Sequence, residues 1–282
     1  MSAPLALALS VAMHVIWNLM ARHLPRQANP LWWVLLAHLV LFGPWGFREL
    51  ATTVDWTPGM ALLLAVSAAA NAVYFTGLAR AYEHAPVALV YPVVRSSPLL
   101  IALWGTLFFG QHLPPLAWAG IVVSVLGLLV MASGTGRGNG GQALPWALLA
   151  MLSTSVYSLS DKAATAHIPT FMGLMGFLSV GYLASWIAIT WRMRRRSRRW
   201  VPEQRIGAIP MLAGGLCIGV AYALVIHAMR ALAAAEVVAY TNAGIVLATV
   251  SSVYLFGEKE DWKRRMLGAA VIMLGLMLLS LR

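Results

Sequence analysis

Charged residues are scarce in this 282-residue chain, where they make up 10% of the sequence, while hydrophobic residues make up 60%. With a mean hydropathy of +0.77, such a chain is too apolar to be solvated as an ordinary globular protein. Its one cysteine, Cys217, lies within an apolar run, so a disulfide framework or a cysteine metal site cannot be built within the chain. Composition therefore predicts an integral membrane protein and does not indicate redox chemistry.

Sequence signatures of enzymes are also missing. The nine acidic residues form no cluster suited to a metal, and no HExxH, GxSxG or P-loop pattern occurs. We therefore expect no enzyme activity, no cofactor, no metal and no self-contained ATP-driven pumping. The net charge of +11 does not indicate nucleic acid as a partner, because the basic residues flank apolar runs instead of forming a soluble basic face.

Ten apolar runs are long enough to cross a hydrocarbon core of roughly 30 Å, which takes about 20 helical residues. The runs are continuous rather than alternating, which favours helices over a transmembrane barrel. The first run has no basic leader and carries polar residues, so we expect it to be kept as a helix and not cleaved as a signal peptide. We predict an all-α integral membrane fold with ten transmembrane helices at residues 3–20, 31–47, 60–78, 86–109, 116–132, 144–164, 171–191, 206–229, 234–256 and 266–281.

The second half of the chain repeats part of the first. The segments EHAPVALVYPVV and FFGQHL correspond to LAAAEVVAYTNA and LFGEKE further along. The near-constant offset indicates gene duplication: Tyr91 and Tyr240 are 149 residues apart, Gly110 and Gly257 are 147 apart, and the pairs Gly120 with Gly268 and Gly127 with Gly275 are each 148 apart.

A polar, glycine-rich segment, SGTGRGNGGQ, lies between the two copies and reads as a flexible linker. We predict a first repeat at residues 1–133, a linker at 134–142 and a second repeat at 143–282, with five spans in each repeat. An odd number of spans inverts the second copy relative to the first. Inverted repeats of this kind are typical of secondary transporters.

The chain resembles the EamA type of the drug/metabolite transporter superfamily. The resemblance rests on HVIWN in the first span, VYPVVRSSPL in the fourth, and FFGQHL…AGIVVSVLG with its echo LFGEKE…LGAAVIMLG, and it covers essentially the whole chain. It implies a ten-helix permease for small metabolites, with a central cavity lined mainly by spans one, three, four, six, eight and nine. The family's usual acidic residue after the glycine is Gln111 here, whereas Glu258 keeps it in the second repeat.

The membrane orientation stays open at this point. Ten crossings place fifteen basic loop residues on the side opposite the termini and four on the side of the termini, so the positive-inside rule predicts both termini outside. The resemblance instead implies both termini in the cytoplasm.

Arg95 is the one basic residue near the middle of a predicted span, about 14 Å from the start of the fourth run by helical rise. A charge there costs about 2.5–3.5 kcal/mol on insertion scales and normally faces a cavity or a partner. Its guanidinium suits bidentate binding of a carboxylate or phosphate, and Tyr91 lies one turn earlier on the same face. The compatible alternative is an internal tie to backbone carbonyls that Pro92 and Pro98 leave without a donor.

The first span places His14, Trp17 and Asn18 on one face. His14 is the candidate carrier of a coupling proton because imidazole titrates near neutral pH, although both His14 and Asn18 also suit hydrogen bonding between helices. In the sixth span, Tyr157 aligns with Trp17. Near the end of that span we expect Asp161 and Lys162 to form an interfacial ion pair, or Lys162 to snorkel to the interface, rather than to bind substrate. The full set of candidate substrate-binding residues is Arg95, Tyr91, Trp17, His14, Asn18, Tyr74, Asn71, Tyr157, Tyr222, Tyr240 and Asn242.

Two further expectations concern helix positions. The residue that matches Arg95 in the second repeat falls near Gly244. Glu83 and Glu236 are expected to cap the starts of the fourth and ninth helices, where a carboxylate favours the positive end of the helix dipole.

These observations predict a secondary transporter in a bacterial-type inner membrane, moving a small polar metabolite by alternating access. The substrate is expected to be anionic or zwitterionic and amino-acid-like, with a proton as the candidate coupling ion. The alternatives are a lipid or lipid-linked-intermediate flippase, or a non-transporting membrane sensor. The expected partners are a small-molecule substrate and the lipid bilayer, and the expected assembly is a monomer or homodimer.

Overall fold

A computed structural model describes residues 1–21, 24–133, 140–254 and 261–281, except the side chains of residues 18, 21, 26 and 252. Arg22, residues 134–139 of the predicted linker, the LFGEKE segment and Arg282 lie outside the described residues. The described chain is all helical, which confirms the predicted fold class. Its helices are α1 (Ala3–Ala21), α2 (Pro30–Thr53), α3 (Pro58–His84), α4 (Val87–Val94), α5 (Ser97–Phe109), α6 (Pro115–Ala132), α7 (Gly140–Ala164), α8 (Phe171–Ser197), α9 (Ala208–Ala228), α10 (Ala234–Thr241), α11 (Ala243–Tyr254) and α12 (Trp262–Ser280), with a short 3₁₀ turn at Arg26–Ala28.

Each of the ten predicted spans corresponds to one helix or to a consecutive pair. Within the described residues, eight helices are long and apolar enough to cross a membrane, counting α4 with α5 and α10 with α11 as one helix each. Large apolar side chains face outwards along them, with Leu62 64%, Leu107 62% and Ile209 80% exposed. Such surfaces suit a bilayer rather than water, so this is a multi-pass membrane protein.

The helices form two compact units. The first unit comprises residues 1–76 and 160–230, and the second comprises residues 77–159 and 231–282. Each unit takes spans from both halves of the sequence, so the compact units and the predicted sequence repeats divide the chain differently. Residues 140–142 of the predicted linker belong to α7.

In the first unit, α2 packs against α8 and α9, and α1 packs against α9. The α2–α8 crossing depends on Gly46 and Gly176, since a Cβ on Gly176 would overlap the Gly46 carbonyl. A buried hydrogen bond of 2.9 Å joins His38 Nε2 of α2 to Ser179 Oγ of α8. Gly219 of α9 lies directly against the His38 ring. Small residues let these three helices approach closely enough for polar groups to meet, as is common in membranes.

In the second unit, α6 and α12 cross through the four glycines of the sequence repeat. A Cβ on Gly120 would lie 2.7 Å from the carbonyl oxygen of Gly275, and one on Gly127 would lie 2.7 Å from that of Gly268. In the sequence repeat, the 148-residue offset pairs Gly120 with Gly268 and Gly127 with Gly275. In the structure the contacts are crossed, since Gly120 meets the counterpart of Gly127 and Gly127 meets the counterpart of Gly120. That reciprocal contact is a local two-fold relation between two copies of the same helix.

Two of the predicted spans are interrupted by a short turn. Between α4 and α5 the cause is Pro98, which has no N–H for the carbonyl of Val94 four residues earlier. Between α10 and α11 the Thr241 hydroxyl donates to the carbonyl of Val238 at 2.6 Å, an alternative bond that competes with the helical one. Each pair of helices still forms one apolar unit long enough to cross a membrane, Val87–Phe109 and Ala234–Ser251.

The two interruptions occupy equivalent positions of the repeat. α4 and α10 each have eight residues, and both their starts and their ends are 147 residues apart. With that offset, the residue that matches Arg95 is Asn242, so the predicted match near Gly244 is wrong. The prediction was displaced by two residues because it used the offset of 149 between Tyr91 and Tyr240, whereas the helix ends are 147 residues apart.

The two predicted caps have different outcomes. Glu236 accepts a hydrogen bond of 3.2 Å from the backbone N–H of Ala233 at the start of α10, which confirms the predicted cap by Glu236. Glu83 lies in the last turn of α3, with its carboxylate 3.7 Å from Arg80. α3 continues to His84, beyond the predicted end of its apolar run, and the cap by Glu83 on the fourth span stays a prediction.

Replacing Gly127 with alanine should lower the thermal stability of the detergent-solubilised protein, because the added methyl group meets the backbone of α12. Overpacking of this kind typically costs about 1–3 kcal/mol. Gly59→Ala is the matched control, since a Cβ there would meet only the Thr57 hydroxyl at 3.7 Å. A melting temperature of Gly127→Ala equal to or above that of Gly59→Ala would contradict the glycine crossing.

Candidate functional site

Arg95 lies at the interruption between α4 and α5 and is held by two side chains. Its Nε donates to the Tyr91 hydroxyl at 2.9 Å, and its Nη1 donates to Thr241 Oγ1 at 3.0 Å. The guanidinium carbon lies 5.1 Å from the centre of the Tyr91 ring, a distance typical of cation–π contact. Tyr91 and Arg95 therefore do form the pair that their four-residue spacing predicts, and Thr241 ties them to the second repeat.

Asn242 ends α10 beside Arg95 and is fully buried. Its Nδ2 lies 3.5 Å from the backbone carbonyl of Arg95. Its Oδ1 is buried and has no hydrogen-bond partner among the described residues. A buried acceptor without a partner costs about 1–3 kcal/mol, so such groups in native proteins usually bind a water or a ligand.

The interrupted backbone adds polarity of its own. The N-terminus of α5 follows Arg95 directly, and the free N–H groups of a helix start carry partial positive charge. Ser96 uses its hydroxyl to bond the carbonyl of Pro92 at 2.8 Å. We call Tyr91, Arg95, Thr241 and Asn242 the paired-break site. It combines a fixed cation with an acceptor that has no partner in the described part of the chain, in the arrangement of broken helices that transporters use to bind substrates.

A second polar cluster, in the first unit, surrounds Asp161 of α7, whose side chain is 1% exposed. Ser67 Oγ of α3 donates to Asp161 Oδ1 at 2.5 Å, and the Tyr222 hydroxyl of α9 donates to Oδ2 at 2.5 Å. Asn71 Nδ2 donates to the backbone carbonyl of Ser67 at 3.0 Å. We call Ser67, Asn71, Asp161 and Tyr222 the Asp161 cluster.

The predicted interfacial ion pair between Asp161 and Lys162 is wrong as a description of Asp161. Consecutive residues of a helix point about 100° apart, so the two side chains leave α7 in different directions. Asp161 is covered by α3 and α9, while Lys162 Nζ donates to the backbone carbonyl of Met229. The carboxylate is buried between hydroxyls instead of lying at an interface.

The other predicted site residues have varied surroundings. Trp17 packs on Gly214 of α9, where a Cβ would lie 2.5 Å from its ring, and Tyr74 packs edge-on against Phe75. Both therefore contribute to apolar packing in the first unit. His14 and Tyr240 are half-buried and Tyr157 is buried. The side chain of Asn18 lies outside the described part of the chain.

Thr241, Ser67 and Asp161 are the polar partners that the sequence did not single out for a site. Thr241 has a detectable signal, because an offset of 147 places it opposite Val94, next to Arg95. Ser67 has none, since a lone serine in an apolar helix most often bonds its own backbone. Its role depends on α3 lying beside α7, which no local pattern shows.

A sequence profile of the EamA-like transporter family matches residues 1–133 and 142–281. The chain belongs to the EamA-like transporter family. This EamA-like protein is thus a membrane transporter of the drug/metabolite type, with a helical two-repeat fold. A solved structure described only as a crystal structure of a protein has a TM-score of 0.77 and 18% identity, covering 99% of this chain and 97% of that one, which shows a shared fold. None of the curated proteins matches.

Thr241→Val should destabilise the protein by about 1–3 kcal/mol, because it removes an acceptor for the Arg95 guanidinium while keeping the side-chain shape. Thr154→Val is the matched control, since the hydroxyl of Thr154 is also buried and its described bond goes only to its own helix, to Ala150. Thermal unfolding in detergent measures both. Equal losses of stability would show that the Arg95–Thr241 bond contributes nothing of its own.

Proposed function

We propose that this EamA-like transporter is a secondary transporter of a small zwitterionic or anionic metabolite, amino-acid-like in its charges, in a bacterial-type cytoplasmic membrane. The observation that carries the proposal is the pairing of Arg95 with Asn242 at equivalent interruptions of two repeated helices. One supplies a positive charge and the other an acceptor without a described partner.

The paired-break site suits an amino acid because it offers opposite polarities within one small region. A substrate carboxylate would be drawn to the Arg95 guanidinium and the start of α5. A substrate ammonium would donate to Asn242 Oδ1 and so provide the missing hydrogen bond. The bonds from Tyr91 and Thr241 hold Arg95 in place before binding, which reduces the entropy lost on ordering it.

Alternating access is supported by the two-fold relation between repeated helices in the second unit. Two copies of the same structure with opposite orientations can exchange conformations, and each exchange opens the substrate site to the other side. The close glycine contacts between α6 and α12 let these helices pack without large side chains between them.

Arg95→Ala should abolish the preference of the transporter for amino acids over the corresponding decarboxylated amines. Loss of a charge-assisted hydrogen bond costs about 1.5–3 kcal/mol, which is roughly a 10- to 150-fold loss of affinity. Thermal-shift screening of purified protein with a panel of amino acids and their decarboxylated amines would identify binders. Radiolabelled uptake into proteoliposomes would then measure flux and selectivity.

The series Arg95→Lys and Arg80→Ala serves as control. Arg95→Lys keeps the charge but lacks the planar fork, so an intermediate loss is expected. Arg80 is exposed and contacts Glu83 and the Trp146 ring, so Arg80→Ala should leave flux unchanged. Unchanged selectivity in Arg95→Ala would refute the carboxylate site, and transbilayer movement of labelled lipid without any solute flux would favour a flippase instead.

A further inference from the structure

The proposed function does not use the Asp161 cluster, although a carboxylate buried among hydroxyls is unusual within a membrane helix. Asp161 is 1% exposed, and each of its oxygens accepts a short hydrogen bond from a neutral hydroxyl. Burial of an ionised carboxylate is costly unless an opposite charge or several donors compensate it. Two hydroxyl donors compensate this cost only in part. The free-energy difference between the charged and the protonated form is therefore smaller for Asp161 than for a carboxylate in an ion pair.

The position of Asp161 in its helix also disfavours the charged form of the carboxylate. It lies in the last turn of α7, which ends at Ala164, and the carbonyl groups of a helix end carry partial negative charge. The basic residue next to it, Lys162, directs its Nζ to the carbonyl of Met229. The groups that meet the carboxylate from α3 and α9 are hydroxyls.

The titratable groups around the cluster come from four helices other than α7. Tyr222 of α9 donates to Asp161 itself, and Tyr182 of α8 lies nearby and donates to the carbonyl of Ile218 at 3.1 Å. Tyr74 of α3 packs against Phe75, whose ring centre lies 6.3 Å from that of Tyr182. His38 of α2 lies 5.0 Å from the Tyr182 ring, and its Nε2 bonds Ser179. Among these groups, Asp161 is thus the one that accepts hydrogen bonds from two hydroxyls and whose negative charge is removed when it binds a proton.

We propose that Asp161, and not His14, is the proton-binding site that couples transport to a proton gradient, with Ser67 and Tyr222 as the groups that respond to its protonation. The proposal rests on the proposed transport function. The step is the addition of one proton from water to an Asp161 carboxylate oxygen, giving a neutral carboxylic acid, and its release on the other side of the cycle.

Protonation changes what the two hydroxyls do. A carboxylate accepts from both Ser67 and Tyr222, whereas a carboxylic acid must donate through one oxygen. One hydroxyl therefore becomes an acceptor or turns away, and a helical serine can donate to the carbonyl four residues earlier. Because Ser67 and Tyr222 belong to α3 and α9, one proton alters the bonds that join these two helices to α7.

Infrared difference spectroscopy of the full-length protein in lipid vesicles tests the site without any substrate. The probe is the proton itself, titrated from mildly alkaline to acid pH in water and in deuterated water. We expect the carbonyl band of a protonated carboxylic acid to appear in the wild type and to shift on deuteration. The band should be lost in Asp161→Asn and kept in Asp55→Asn, a control whose carboxylate is 77% exposed.

Ser67→Ala keeps the titrating group and guards against misfolding of Asp161→Asn. Because it removes a donor to the charged form, the band should appear at a higher pH than in the wild type, by on the order of one pH unit. A band that is equal in Asp161→Asn and the wild type, or a midpoint that Ser67→Ala leaves unchanged, would overturn the proposal.

Flux measurements separate this proposal from the proposed function. With the radiolabelled amino acid panel, an inward proton gradient should stimulate uptake by the wild type and by His14→Gln but not by Asp161→Asn. Stimulation that persists in Asp161→Asn, or that is lost in His14→Gln alone, overturns the assignment. A wild type without amino acid flux would remove the proposed substrate, while the spectroscopic titration would still decide whether Asp161 binds a proton.

Discussion

The need to satisfy every backbone N–H and C=O group inside hydrocarbon governs this structure. Water is absent there, so a spanning segment has to bond its own backbone, and a continuous helix does so completely. The chain relaxes this requirement at two equivalent places, the ends of α4 and α10. Polar side chains collect at these places because the freed backbone and the missing helical bonds need partners, as the bonds of Ser96 and Thr241 show.

The duplicated helices keep the glycines of their contacts in both repeats, whereas the polar side chains at the helix interruptions differ between the repeats. The reciprocal contacts of Gly120, Gly127, Gly268 and Gly275 need small residues in both copies, because the backbones approach too closely for a methyl group. The helix interruptions carry no such restriction, and there one copy has Arg95 and the other Asn242. In the proposed function, this two-fold scaffold binds an asymmetric ligand, with a charge from one repeat and an amide from the other.

Two ionisable side chains, Arg95 between α4 and α5 and Asp161 in α7, have similar described surroundings. The described bonds of each go to hydroxyl groups, from Tyr91 and Thr241 in one unit and from Ser67 and Tyr222 in the other. A hydroxyl can donate or accept, so it stabilises a charge without neutralising it.

Much of the fold could be predicted from sequence, because apolar run length, glycine spacing and the repeated segments are local properties of the chain. The same holds for Arg95 with Tyr91, whose four-residue spacing places them on one helical face. The helix interruption at Asn242 escaped prediction because no proline marks it, and a two-residue slip in the repeat hid its match to Arg95.

The sequence by itself determined that this is a duplicated, ten-span helical membrane protein with one cation deep in its fourth span, since composition and periodicity follow directly from the need to cross a bilayer. Only the tertiary structure decided which polar groups meet: Thr241 with Arg95, and Ser67 and Tyr222 with Asp161. These pairs are 61 to 146 residues apart in the chain. Their contacts depend on which helices pack together, and the pattern within a single helix does not identify the helix that packs beside it.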